Sequence, residues 1–135
     1  MTLREHVRSH TATLLRRLAF QVRQASVRGD EDSIHDLRVS IRRLRECLRT
    51  FEGLYPSSPR KKVRRELKKL MKSAERVRSA DIAISLLEKA GLDEAAPLLV
   101  EVREQRLVYS SALQEDLKVL GSRPYTRNWR EALGL

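Results

Sequence analysis

Apolar residues recur every three or four positions through four successive stretches of about 25 residues, the signature of amphipathic helices, and glycine or proline interrupts each stretch. The first stripe runs through Leu3, Val7, Leu14, Leu15, Leu18, Val22 and Ala25, and Gly29 with Asp30 stops it. Asp30 or Asp32 can cap a second helix, whose stripe of Ile34, Leu37, Ile41, Leu44, Leu48 and Phe51 ends before the turn YPSSP. A third helix starts near Pro59, a residue tolerated in a first turn, and carries Val63, Leu67, Leu70, Ala74 and Val77 to about Ala90, where Gly91 closes it. The fourth begins near Asp93 and reaches Leu120 on Leu99, Val102, Arg106, Leu113, Leu117 and Leu120, before Gly121 and Pro124. The tail YTRNWREALGL predicts a short fifth helix that tucks Trp129 and Leu133 against the others. Short turns between long helices predict an all-α chain: an antiparallel four-helix bundle, up-down-up-down, with a short C-terminal helix and residues 1–135 in one domain.

The single Cys47 excludes an intramolecular disulfide, and nothing at the start reads as a secretory leader, so the expected location is the cytoplasm. No run approaches the roughly 18 apolar residues that a membrane span needs, and no membrane partner is expected. The net charge of +10 is concentrated rather than spread. Residues 35–78 hold 15 Lys and Arg against 5 acids, a surplus of 10, while the rest of the chain holds 13 of each. A neutral scaffold with one basic block calls for a partner of dense negative charge.

On a helical wheel His35, Arg38, Arg42, Arg45 and Arg49 fall within an arc of about 80° beside the apolar stripe of the second helix. Arg43 points to the other shoulder. The third helix repeats the layout, with Lys61, Arg65, Lys68, Lys69, Lys72 and Arg76 on one broad face. If the two helices are neighbours, both rows line one strip about 30 Å long or more. Charge runs on helices ordinarily mark a solvated face laced with Glu–Lys pairs, but few acids stand among these cations. Arginine also suits phosphate, because its guanidinium makes two parallel hydrogen bonds to the oxygens.

The run HDLRVSIRRLRECLRTF resembles the signature of the CHAD family, the conserved histidine α-helical domains, in which H-x-x-R-V-x-x-R-R-L-R opens a helix. RRELKKLMKSAERVRSADIAI is similar to the family's E-L-+-x-L followed by R-D-x-D, and GSRPYTRNWREAL to its S-x-R-[FY] segment. Ser79 stands where the family's first Asp would be, while Arg78 and Asp81 keep the outer positions. The resemblance implies a helical fold of two related four-helix bundles, of which this chain would be about one half. It also implies binding of inorganic polyphosphate through a basic surface, without catalysis. His35, Arg38, Arg42, Arg43 and Arg45 match the motif and would inherit the ligand role, as would Arg65 or Lys68 and Arg78. The wheel adds Arg49, Lys61, Lys69 and Lys72. Arg43, set apart from the row, could instead pair with Asp81, which falls on the apolar side of the third helix and needs a cation if buried.

The expected function is non-catalytic binding of inorganic polyphosphate, with association to polyphosphate granules. The alternative is nucleic-acid binding through phosphate contacts alone. No aromatic residue interrupts the basic rows, whereas single-strand binders normally place stacking platforms there. His35 is either a core histidine or a ligand residue whose positive form favours phosphate as the pH falls. His6 and His10 stand at i and i+4 without a convincing third ligand, so no metal or other cofactor is expected. Glycine-rich phosphate loops and a nucleophilic triad are missing, which argues against an enzyme. Broad apolar stripes on the first and fourth helices favour a homodimer.

Overall fold

A computed structural model describes residues 1–135 as five α-helices without strands. They are α1 (Leu3–Val27), α2 (Glu31–Thr50), α3 (Ser57–Lys89), α4 (Pro97–Gly121) and α5 (Tyr125–Leu133), and a 3-10 turn over Glu52–Leu54 follows α2. The chain's own capping chemistry sets these limits. Thr2 and Glu5 close a reciprocal capping box on α1, with Glu5 N–H donating to Thr2 Oγ1 at 3.1 Å. Of the two candidate caps for α2, Asp30 does the work, accepting from Ser33 N–H at 3.0 Å. Hydrogen bonds from Ser33, helped by Arg28, hold the Asp30 carboxyl below its ordinary titration range.

Gly29, between α1 and α2, has φ 63°, and a Cβ there would stand 3.1 Å from Gln114 Nε2. The left-handed backbone calls for glycine, and a Cβ would also press on the Gln114 amide. The third helix begins two residues before Pro59 and ends where Gly91 takes φ 85°. The fourth starts at Pro97 rather than near Asp93. Proline disfavours helical backbone in the residue before it, and Ala96 is extended at ψ 127°, so residues 93–96 make a turn and Pro97 opens the helix.

The main interfaces are α1 with α2, α2 with α3, and α3 with α4. Leu18, Leu37, Ile41, Leu44, Leu67 and Leu113 are fully buried between them. Truncating any one to alanine costs about 2–5 kcal/mol, because close-packed neighbours relax only partly into the space. The short α5 packs mainly on α3 and α1 and buries Trp129 and Leu133. Tyr125 and Trp129 meet edge to face at 5.2 Å, and the Trp129 indole donates to Glu66 at 3.0 Å.

Cys47 is buried beside Thr11 and Tyr55, whose hydroxyls share a 2.7 Å hydrogen bond. Burial pushes the Tyr55 phenol up, so it stays a neutral hydrogen-bonding group, and this cluster ties the turn after α2 to α1. No helix is long and apolar enough to cross a membrane.

Candidate functional site

The apolar stripes turn α2 and α3 toward each other and bring their cationic shoulders to one seam. Two adjoining cavities lie on it, of about 400 and 360 Å³, and Arg45 and Arg64 line both. The larger adds Arg42 and Arg49 from α2, with Glu46, Met71 and Glu75; the smaller adds Lys61, Arg65 and Lys68 from α3. Together they form a trough with two carboxylates along it, Glu46 and Glu75.

Six of the residues expected from sequence therefore meet here: Arg42, Arg45, Arg49, Lys61, Arg65 and Lys68. Arg64, absent from that expectation, stands at the centre. It borders the apolar stripe rather than the middle of the broad basic face, which is why a wheel centred opposite Val63 passes over it. The series Lys61, Arg64, Lys68, Glu75 at helical spacing was the available signal.

The guanidinium Nε atoms of Arg38, Arg45, Arg60 and Arg64 are buried and find no acceptor in the protein, and of these four Arg45 and Arg64 line the cavities. An unpaired buried donor costs roughly 1–3 kcal/mol, and more when charged, so an anion that drew the Arg45 and Arg64 guanidiniums into donating to its oxygens would relieve that cost. No protein carboxylate lies within ion-pair distance of a cation that lines either cavity, and Glu75 pairs instead with Arg38 outside them. Such an arrangement can hold a multiply charged anion by bidentate arginine contacts backed by lysine charge.

The other expected residues lie elsewhere. Arg38 meets Glu75 at 3.7 Å, and Arg78 meets Glu31 at 2.9 Å, so the end of the seam near the start of α2 is closed by ion pairs. The unpaired cations of the basic face on α3 run from Lys61 to Arg76, about 22 Å, against the 30 Å strip expected. His35 is exposed on the row but borders neither cavity, which removes the core-histidine reading. Lys72 is exposed just beyond them, while Lys69 faces a groove toward α4 and α5 with Glu66, Asp116 and Leu120.

Arg43 does not pair with Asp81. It lies on the opposite shoulder of α2, in a groove shared with α1. Arg106 supplies the cation instead: its Nε donates to Asp81 Oδ1 at 2.9 Å, and its Nη2 donates to the Gly29 carbonyl at 3.0 Å. Asp81 is 10% exposed, so the pair is structural, binding the α1–α2 turn to α3 and α4. Arg106 in an otherwise apolar stripe was the sequence signal for this partnership.

A family model described as CHAD domain matches residues 7–134. No curated protein and no solved structure matches the chain.

Proposed function

The chain belongs to the CHAD domain family, and on that premise we propose that it binds inorganic polyphosphate in the trough between α2 and α3, without turning it over. The observation that carries this reading is the meeting of two cation-lined cavities at Arg45 and Arg64, which line both and have no carboxylate partner. A linear chain of phosphates without bases fits a trough whose lining has no aromatic platform. Arg42, Arg45, Arg49 and Arg64 would grip phosphate oxygens; Lys61, Arg65 and Lys68 would supply the outer charge. Arg38, Arg78 and His35 take a secondary place at the closed end, and Lys69, Lys72 and Arg43 lie off the trough.

Competition separates this from the alternative of nucleic-acid binding. Long-chain polyphosphate should displace labelled DNA at much lower phosphate concentration than DNA displaces polyphosphate; the reverse order refutes the proposal. Salt sensitivity does not discriminate, because both ligands release counterions. Glu46 and Glu75, which come from different helices, are the trough's carboxylates, and that sparse acidic set supports binding rather than hydrolysis. Orthophosphate release by the purified protein with Mg²⁺ would contradict it.

The ion pairs Arg78–Glu31 and Arg38–Glu75 step in opposite directions along α2 and α3, which supports an antiparallel α2–α3 pair within the proposed up-down-up-down bundle. Ile82, Leu86, Val100, Leu107 and Val108 are exposed on α3 and α4, which supports association into a homodimer, to be tested by light scattering at micromolar concentration. The proposed location is the cytoplasm, in contact with polyphosphate granules.

A further inference from the structure

The side of α2 turned toward α1 carries a groove of different character. Its cavity is about 380 Å³, within the range of roughly 300–1,000 Å³ usual for small-molecule sites. Arg16 and Arg17 reach it from α1 and Arg43 from α2. None of the three is in an ion pair, although Asp36 borders the same space, and Arg16 Nη2 donates to Thr13 Oγ1 at 3.0 Å. Unlike the trough, this groove contains an aromatic ring. Phe20 is 49% exposed there, among the guanidiniums, with Gln21 and Ser40 nearby.

Three unpaired arginines are a receptor for phosphate oxygens. A half-exposed phenyl ring in their midst has no use for a phosphate chain, but offers a face to a flat heteroaromatic ring. The amide of Gln21, the hydroxyl of Ser40 and the carboxylate of Asp36 add the donors and acceptors that polar ring edges and sugar hydroxyls need. We propose that the α1–α2 groove binds a nucleoside polyphosphate, its base against Phe20 and its phosphates on Arg16, Arg17 and Arg43. The two shoulders of α2 then sort their ligands: phosphate chains without bases on the α3 side, phosphates carrying a base on the α1 side. The groove shares no residue with the trough, so this inference does not depend on polyphosphate binding.

Calorimetric titration with ATP in the presence of a chelator tests it, using the Arg45→Gln/Arg64→Gln double variant so that the trough does not compete for the triphosphate. ATP should bind this variant more tightly than inorganic tripolyphosphate does. Phe20→Ala, added to it, should weaken ATP about tenfold, the loss expected for one stacked base, and leave tripolyphosphate unchanged. Phe20→Trp should restore ATP affinity, which a merely structural role for the ring would not explain. Arg17→Gln with Arg43→Gln should weaken both ligands. Tripolyphosphate binding as tightly as ATP, or Phe20→Ala leaving ATP affinity unchanged or lowering both ligands equally, would overturn the proposal. Loss of long-chain polyphosphate binding in wild-type protein would refute the trough reading alone.

Discussion

The seam between α2 and α3 carries arginines along most of its length, yet its two ends treat them in opposite ways. Toward the start of α2, Arg38 has Glu75, Arg78 has Glu31, and just beyond the seam Arg106 has Asp81. Toward the end of α2, Arg42, Arg45, Arg49 and Arg64 crowd together with only Glu46 and Glu75 near them. In the first group, Arg78 and Arg106 tie helices together through 2.9 Å hydrogen bonds, and Arg38 stands 3.7 Å from its carboxylate. The second leaves like charges side by side, which lowers stability unless an anion relieves them. Residue type alone does not separate a paired arginine from an unpaired one; the carboxylate facing it does.

This contrast is broken most readily at its centre. Replacing Arg45 and Arg64 together by Gln should weaken polyphosphate binding by about a hundredfold or more near physiological salt, since each removes charge-assisted contacts of roughly 1.5–3 kcal/mol. The thermal midpoint of the free variant should hold or rise, because repulsion is removed. A lower midpoint would mean that these side chains belong with the structural group.

At the other end, Arg106→Met should reduce unfolding free energy in denaturant by about 2 kcal/mol and leave polyphosphate affinity as it was. The effect falls below that of a fully buried pair because Arg106 keeps some contact with water. Arg78→Gln sharpens the comparison further. Its partner Glu31 is exposed, so stability should change by less than about 1 kcal/mol, and affinity by less than about threefold.

Two smaller effects concern Asp30 and His35. The depressed Asp30 carboxyl stabilises the folded state at pH values above its ordinary, unfolded range, and that contribution is lost as pH falls through the lower folded value. Asp30→Ala should therefore lower the thermal midpoint at neutral pH, with the gap from wild type closing in strong acid. His35 is exposed at the edge of the cationic row and outside both cavities, so His35→Ala should weaken polyphosphate binding by less than about threefold, measured by calorimetry at fixed salt. A tenfold loss would place His35 in the site.

The all-helical fold was legible because each apolar stripe has a 3.6-residue period and ends at glycine or proline. Pro97 announced the late start of α4, but the acidic and small residues before it, Asp93 to Ala96, read equally well as a first turn. The cationic faces were legible too, down to six residues of the trough. Pairing across helices was not. Glu75 opposite Arg38 and Glu31 opposite Arg78 depend on the register of two helices, which a single-helix wheel does not contain. The same limit hid Arg64, whose role comes from facing Arg45, and assigned Asp81 to Arg43 when α4 held its partner.

The central claim, that Arg45 and Arg64 anchor a phosphate chain while the paired arginines do not, is tested most directly by NMR of the arginine Nε–Hε groups during titration with short-chain polyphosphate. The Arg45 and Arg64 signals should shift most and sharpen against solvent exchange, with Arg42 and Arg49 following, and those of Arg78 and Arg106 should stay in place. Unmoved Arg45 and Arg64 signals, with shifts at Arg78 or Arg38 instead, would contradict it.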